Sequence, residues 1–149
     1  MKKILELSIL PALFSLWCIS TTFAQDTSIV GKWKAIDDKT HKPLSVVRIY
    51  EKEGMYFGQI EELIRKSTKD PNPVCSKCAD DDPRKGQPVI GMVIITDLVE
   101  KEGEYVGGTI LDPVQGKTYP CKLWIENGNL MVRGYLGFLF RTQTWLRVE

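Results

Sequence analysis

The sequence predicts an all-β domain, a small antiparallel barrel of about eight strands that is closed or nearly closed, and three observations lead there. Apolar and polar residues alternate in steps of two through successive short segments between Ile29 and Glu149, which is the period of a half-buried strand. Turn residues separate those segments at intervals of roughly 8 to 12 positions, the spacing found in sandwiches and barrels. Residues 25–149 contain no convincing amphipathic helix; the nearest candidate is a short helical turn ending the stretch from Gln59 to Lys69.

Taken in order, Lys32-Trp33-Lys34-Ala35 sets Trp33 and Ala35 on one face and the lysines on the other. Ser45 to Glu51 forms a second strand, which Glu53-Gly54 turns into a third running from Met55 to about Ile64. Gly91 to Val99 and Glu104 to Asp112 make another hairpin through Lys101-Glu102-Gly103, where glycine supplies the positive φ such a turn demands. Gly107-Gly108 inside the second of these marks a bulge or sharp coil. Asp112-Pro113-Val114-Gln115-Gly116 is turn chemistry leading to a strand from Lys117 to Glu126. That strand points Tyr119, Cys121, Leu123 and Ile125 to one side and Lys122 and Trp124 to the other. Asn127-Gly128 is the strongest hairpin signal in the chain. A seventh strand follows from Asn129 to Tyr135, then a looser connection bracketed by Gly134 and Gly137, and Thr142 to Val148 closes the domain with Trp145 as a buried anchor. Closing the meander removes exposed edges, which favours a barrel over the alternative of a β-sandwich.

Upstream of this domain the chain reads as an export leader. Lys2 and Lys3 give a positive start, Ile4 to Phe23 a mostly apolar run, and Thr22-Phe23-Ala24 a small-residue cleavage site, so residues 1–24 are expected to be a signal peptide and 25–149 one mature domain. A membrane anchor fits less well because Glu6, Ser8 and Pro11 interrupt a short apolar core. Lipidation at Cys18 is disfavoured by the bulky Trp17 before it. The expected location is secreted or periplasmic. The mature chain carries 18 basic and 18 acidic residues. That balance argues against nucleic acid as a partner and against purely electrostatic attachment to anionic lipid. No stable membrane insertion is expected after cleavage.

Three cysteines remain in the mature chain, Cys75, Cys78 and Cys121, which allow three pairings in an oxidising compartment. Cys75 and Cys78 lie in a long segment at about 65–87, rich in proline and carrying the run Asp80 to Asp82. Segments of that length need a function or a tie. A structural loop disulfide between Cys75 and Cys78 is favoured over a metal site or a redox pair, because no helix follows to lower a thiol pKa. Zinc would have only those cysteines, Cys121 and the lone His41 to draw on, and Asp80 to Asp82 lack the spacing of a calcium loop. No metal and no cofactor is expected. No acid–base or nucleophilic constellation is present either, so no catalytic residue is assigned and an enzyme is disfavoured. The remaining candidate site is the polar and aromatic group Arg133, Tyr135, Arg141, Gln143 and Trp145, which would converge near one barrel end if the last two strands pair. The competing reading of the same residues is an arginine stacked on tryptophan to plug the barrel.

Gly31-Lys32-Trp33, Cys75 with Cys78, Gly108 to Pro113 followed by Gly116-Lys117-Thr118-Tyr119, Arg133 to Gly137, and Arg141 to Trp145 together resemble a bacterial family known as domain of unknown function 2147. The resemblance runs nearly the whole mature length. It implies an exported protein with a small lipocalin-like barrel and no established activity, and it carries over no catalytic residue. Phe140 departs from the family pattern, where glycine is usual, so the local turn is expected to differ. Three functions follow in order of preference: a binding module holding a small apolar or amphipathic ligand in the barrel, a cell-envelope structural or protein-interaction domain, and a thiol or metal enzyme at Cys75 and Cys78.

Overall fold

A computed structural model describes residues 27–66 and 68–149; the expected leader lies outside them. Eight strands run in meander order: β1 (Gly31–Ile36), β2 (Pro43–Lys52), β3 (Met55–Leu63), β4 (Val93–Lys101), β5 (Glu104–Asp112), β6 (Lys117–Glu126), β7 (Asn129–Leu136) and β8 (Leu139–Arg147). Each pairs antiparallel with the next, and β8 returns to β1 through Trp33↔Arg147 and Ala35↔Trp145, closing a barrel. This is the predicted fold, and it leaves the sandwich alternative behind.

Two expectations of detail are refined. In the stretch from Gln59 to Lys69, Gln59 to Leu63 continue β3, and the end is a single hydrogen-bonded turn, Lys69 N–H donating to the Lys66 carbonyl at 3.0 Å, with no helix among its described residues. Gly134 belongs to β7, paired with Cys121 and Arg141, and the connection to β8 tightens to Gly137-Phe138. The last strand therefore begins at Leu139, three residues earlier than its polar alternation suggested.

One end of the barrel carries both ends of the domain and three tight turns, with positive φ at both residues of Glu53-Gly54, Glu102-Gly103 and Asn127-Gly128. Their twist matches that of the flanking strands. The segment before β1 is drawn across this end. Ile29 and Trp33 are wholly buried, and the Trp33 indole N–H donates to the Ile29 carbonyl at 2.7 Å. The Arg147 guanidinium stacks 4.3 Å from the Trp33 ring centre and donates to the Ser28 carbonyl. An arginine on a tryptophan does seal the barrel, but the pair is Arg147 and Trp33, not one drawn from Arg133, Arg141 and Trp145.

Inward positions above this seal are filled. Val47, Ile49, Ile95, Leu98, Leu123 and Leu130 are all at most 1% exposed, as expected of an eight-stranded barrel, whose bore is just wide enough for side chains. Gly107 bulges β5 with φ +82°, as the sequence predicts, and Asp97 opposite takes φ +60°. There Gly108 lies so close to β4 that a Cβ would stand 2.2 Å from the Thr96 carbonyl oxygen.

The segment between β3 and β4 packs on the outside of the wall. Cys75 and Cys78 are joined by a disulfide, and both bury with Val89, Met92, Ile94 and Leu111. A Cβ on Gly116 would strike the Lys77 carbonyl at 1.9 Å, so the disulfide turn sits hard against the β5–β6 turn.

Candidate functional site at the barrel mouth

The other end of the barrel, formed by the β1–β2, β3–β4, β5–β6 and β7–β8 connections, is its mouth. Register decides which of the candidate residues face it. Gly134 pairs with Arg141, Val132 with Gln143 and Leu130 with Trp145. Since Leu130 and Val132 are buried core, Arg141, Gln143 and Trp145 point inward with them. Arg133 and Tyr135, one residue out of phase, point outward. The five candidates thus divide between the two faces of the wall.

The inward three form a hydrogen-bonded chain that ends on a residue missed by the sequence reading. The Trp145 indole N–H donates to Gln143 Oε1 at 3.2 Å, Gln143 Nε2 donates to Asp38 Oδ1 at 3.1 Å, and Arg141 Nε donates to Asp38 Oδ2. Asp38 is held over the mouth by a turn that Asp37 builds, its Oδ1 accepting from the amides of Lys39 and Thr40. The Arg141 guanidinium lowers the Asp38 carboxyl below the ordinary carboxylate range, and the Thr40 hydrogen bonds do the same for Asp37. Nothing local in the sequence marks Asp38 as a partner, because the contact joins positions 103 residues apart.

The outward two belong to a different group. Arg133 Nε donates to Thr142 Oγ1 at 2.8 Å, and its guanidinium lies between the rings of Trp124 at 4.9 Å and Phe140 at 4.3 Å. Tyr135 packs obliquely on Phe140. Lys122 adds a second cation to Trp124 and pairs with Glu104.

Between these groups the wall parts. Pairing of β6 with β7 stops at Cys121↔Gly134, one residue short of Pro120, which has no amide to donate. Lys117 to Pro120 pair only with β5, and Tyr135 and Leu136 only with β8. The slot is a hollow of about 560 Å³ lined by Lys117, Thr118, Tyr119, Pro120, Tyr135, Leu136 and Gly137. Gly134 precedes Tyr135 at the last β6–β7 pair, and a Cβ there would meet Tyr119, which lines the slot, and Ile110 at the ordinary contact distances of 3.8 and 3.9 Å. A second hollow, about 500 Å³, lies on the flank beside Asp81, Asp82 and Arg84. There Arg84 is fully engaged, donating to Asp82, the Val93 carbonyl and Thr118.

Cysteine chemistry is constrained throughout. The bonded Cys75 and Cys78 offer no thiolate, and burial pushes the Cys121 thiol up to about 12. His41 is exposed in the β1–β2 turn. Among the described residues no three His, Cys, Asp or Glu side chains are grouped as a metal site needs, and no helix is long and apolar enough to cross a membrane.

Comparison with known proteins adds the fold relationship. The profile of a family described as an uncharacterized protein conserved in bacteria (DUF2147) matches residues 31–147. Among solved structures, the chain is similar to protein HP1028 from Helicobacter pylori, described as belonging to the lipocalin family, with a TM-score of 0.66 and 21% identity over 83% of this chain and 84% of that one. No curated protein matches.

Proposed function

This chain belongs to the bacterial DUF2147 family, and from that premise we propose that it is an exported binding protein that holds a small apolar or amphipathic ligand at the mouth of its barrel. The family description names no activity, so the reading rests on geometry. The observation that carries it is the parting of β6 from β7 beyond Cys121↔Gly134, which leaves a hollow beside the mouth. Pockets for small ligands are concave and mostly apolar, with a few placed polar groups. Tyr119, Pro120, Tyr135 and Leu136 supply the apolar wall and Lys117 a cation at the rim, a combination suited to an acyl chain with an acidic head. The filled bore moves the ligand from the barrel axis, where the sequence alone would put it, to the slot. Export is supported by the leader pattern and by a disulfide, since such bonds persist in oxidising compartments.

The test is isothermal titration of the purified protein with dodecanoate, beside a Gly134→Val variant. Valine suits a strand and its Cβ fits at this position, while its methyl groups extend toward Tyr119, a lining residue of the slot, and crowd the place where β6 and β7 part. Saturable binding by the parent, lost in a variant that melts at the same temperature, is the expected result. Equal binding by both proteins, or none by either, refutes the slot as the site.

A further inference from the structure

The most exposed large apolar side chains among the described residues lie at the mouth, around the β7–β8 and β5–β6 turns. Leu136, Phe138, Leu139 and Phe140 follow one another round the β7–β8 turn at 66, 94, 58 and 59% exposure. Val114, in the β5–β6 turn on the other lip of the slot, is 75% exposed. Phe138 and Phe140 are the exposed aromatics among the described residues, the rest being buried or half-buried, and an apolar patch of this kind marks an interaction surface. Behind the tip, Trp124, Tyr135 and Arg133 stand together on the outer face of the same hairpin and its neighbour β6. From Asn129 to Arg147 the hairpin carries no carboxylate; of its arginines Arg133 faces outward near the tip, whereas Arg141 pairs with Asp38 and Arg147 lies on Trp33 at the sealed end.

We propose that the β7–β8 hairpin is a membrane finger, which sinks Phe138 and Leu139 among the headgroups of an anionic phospholipid bilayer. Three features select lipid over a protein groove. Apolar side chains occupy the extreme tip. Phenol, guanidinium and indole follow along the outer face, Tyr135 against Phe140, then Arg133, then Trp124 beside it on β6. Such groups sit at a membrane interface with their apolar bodies inward and polar ends toward water. No acid on β7 or β8 opposes an anionic headgroup, and Arg133 attracts one. Overall neutrality argues against attachment by charge alone; here the apolar tip supplies the main attraction and the arginine biases it. The inference stands on the patch and does not depend on the slot holding a ligand.

Flotation with vesicles of phosphatidylethanolamine and phosphatidylglycerol tests it, with phosphatidylcholine vesicles for comparison. The protein is expected to float with the anionic vesicles and less with the neutral ones. A Phe138→Asp change, at a side chain that touches almost nothing in the fold, should lower the partition by about tenfold or more with the melting temperature unchanged. A Phe138→Trp protein should show a blue-shifted emission on vesicle addition, quenched by brominated phospholipid. Gly134→Val should float like the parent, which separates this outcome from that of the ligand titration. Failure of the parent to float, undiminished flotation of Phe138→Asp, or a lipid-free dimer that Phe138→Asp dissolves would each overturn the proposal, the last by giving the patch to a second copy of the chain.

Discussion

Removing the Cys75–Cys78 bond with paired alanines should destabilise the domain by an amount its geometry sets. The bond closes a loop of only four residues. In the chain-entropy account such a loop restricts the unfolded chain by about 6 cal/mol/K, or about 1.9 kcal/mol at room temperature. A domain of roughly 120 residues changes its melting temperature by about 4 °C per kcal/mol, so a fall of about 7 °C is expected. The loss should also be local. The bonded turn is knitted to the next residues by Cys75 N–H to the Gln87 carbonyl and Gly86 N–H to the Cys75 carbonyl, each 2.9 Å. Scanning calorimetry of the alanine variant, and of the parent with and without reductant, measures the first effect. Amide exchange measures the second, with faster exchange at Cys75, Gly86 and Val89 and none at the β6–β7 ladder. A shift below about 2 °C together with unchanged exchange at those amides would refute the reasoning.

Gly108→Ala should cost about 2–3 kcal/mol in urea unfolding, since its methyl would stand 2.2 Å from a backbone oxygen that cannot retreat, whereas Gly134→Ala should stay within about 1 kcal/mol of the parent; similar midpoints for the two would contradict the close packing of β4 on β5. Asp38, whose carboxyl Arg141 lowers in the folded state, contributes stability that is present above its unfolded value of 3.8 and is lost as pH falls through the folded value. Because Arg141 is half exposed, the contribution should be below about 1 kcal/mol, read as the difference between parent and Asp38→Asn in acid unfolding; parallel curves would argue against the pair. Cys121, its thiol pushed up to about 12, should resist Ellman's reagent at pH 8 until the protein is unfolded; rapid labelling of the native state would show that the wall opens at β6.

The strand count, the meander order and most turns were readable because alternation and turn chemistry are local. Trp33 against Lys32 and Lys34, or Asn127-Gly128 between two alternating runs, needs no distant residue to be interpreted. Where local signals misled, a neighbour overrode them. Gly134 looks like a hinge but is held in β7 by Cys121 on one side and Arg141 on the other. Phe138, Leu139 and Phe140 hide the alternation of β8, because the tip is apolar on both faces.

The chain's own pattern thus determined a closed meander of strands, an inward run of Tyr119, Cys121 and Leu123, and a cysteine-bearing segment in need of a tie. Tertiary structure alone decided which end is sealed, by Arg147 on Trp33, and which stays open. It also decided that Arg141 and Gln143 meet Asp38 inside, while Arg133 and Tyr135 face out beside Trp124. The reason is geometric: a side chain's face follows from its parity along one strand, but what it meets across a barrel depends on closure and register summed over every strand between.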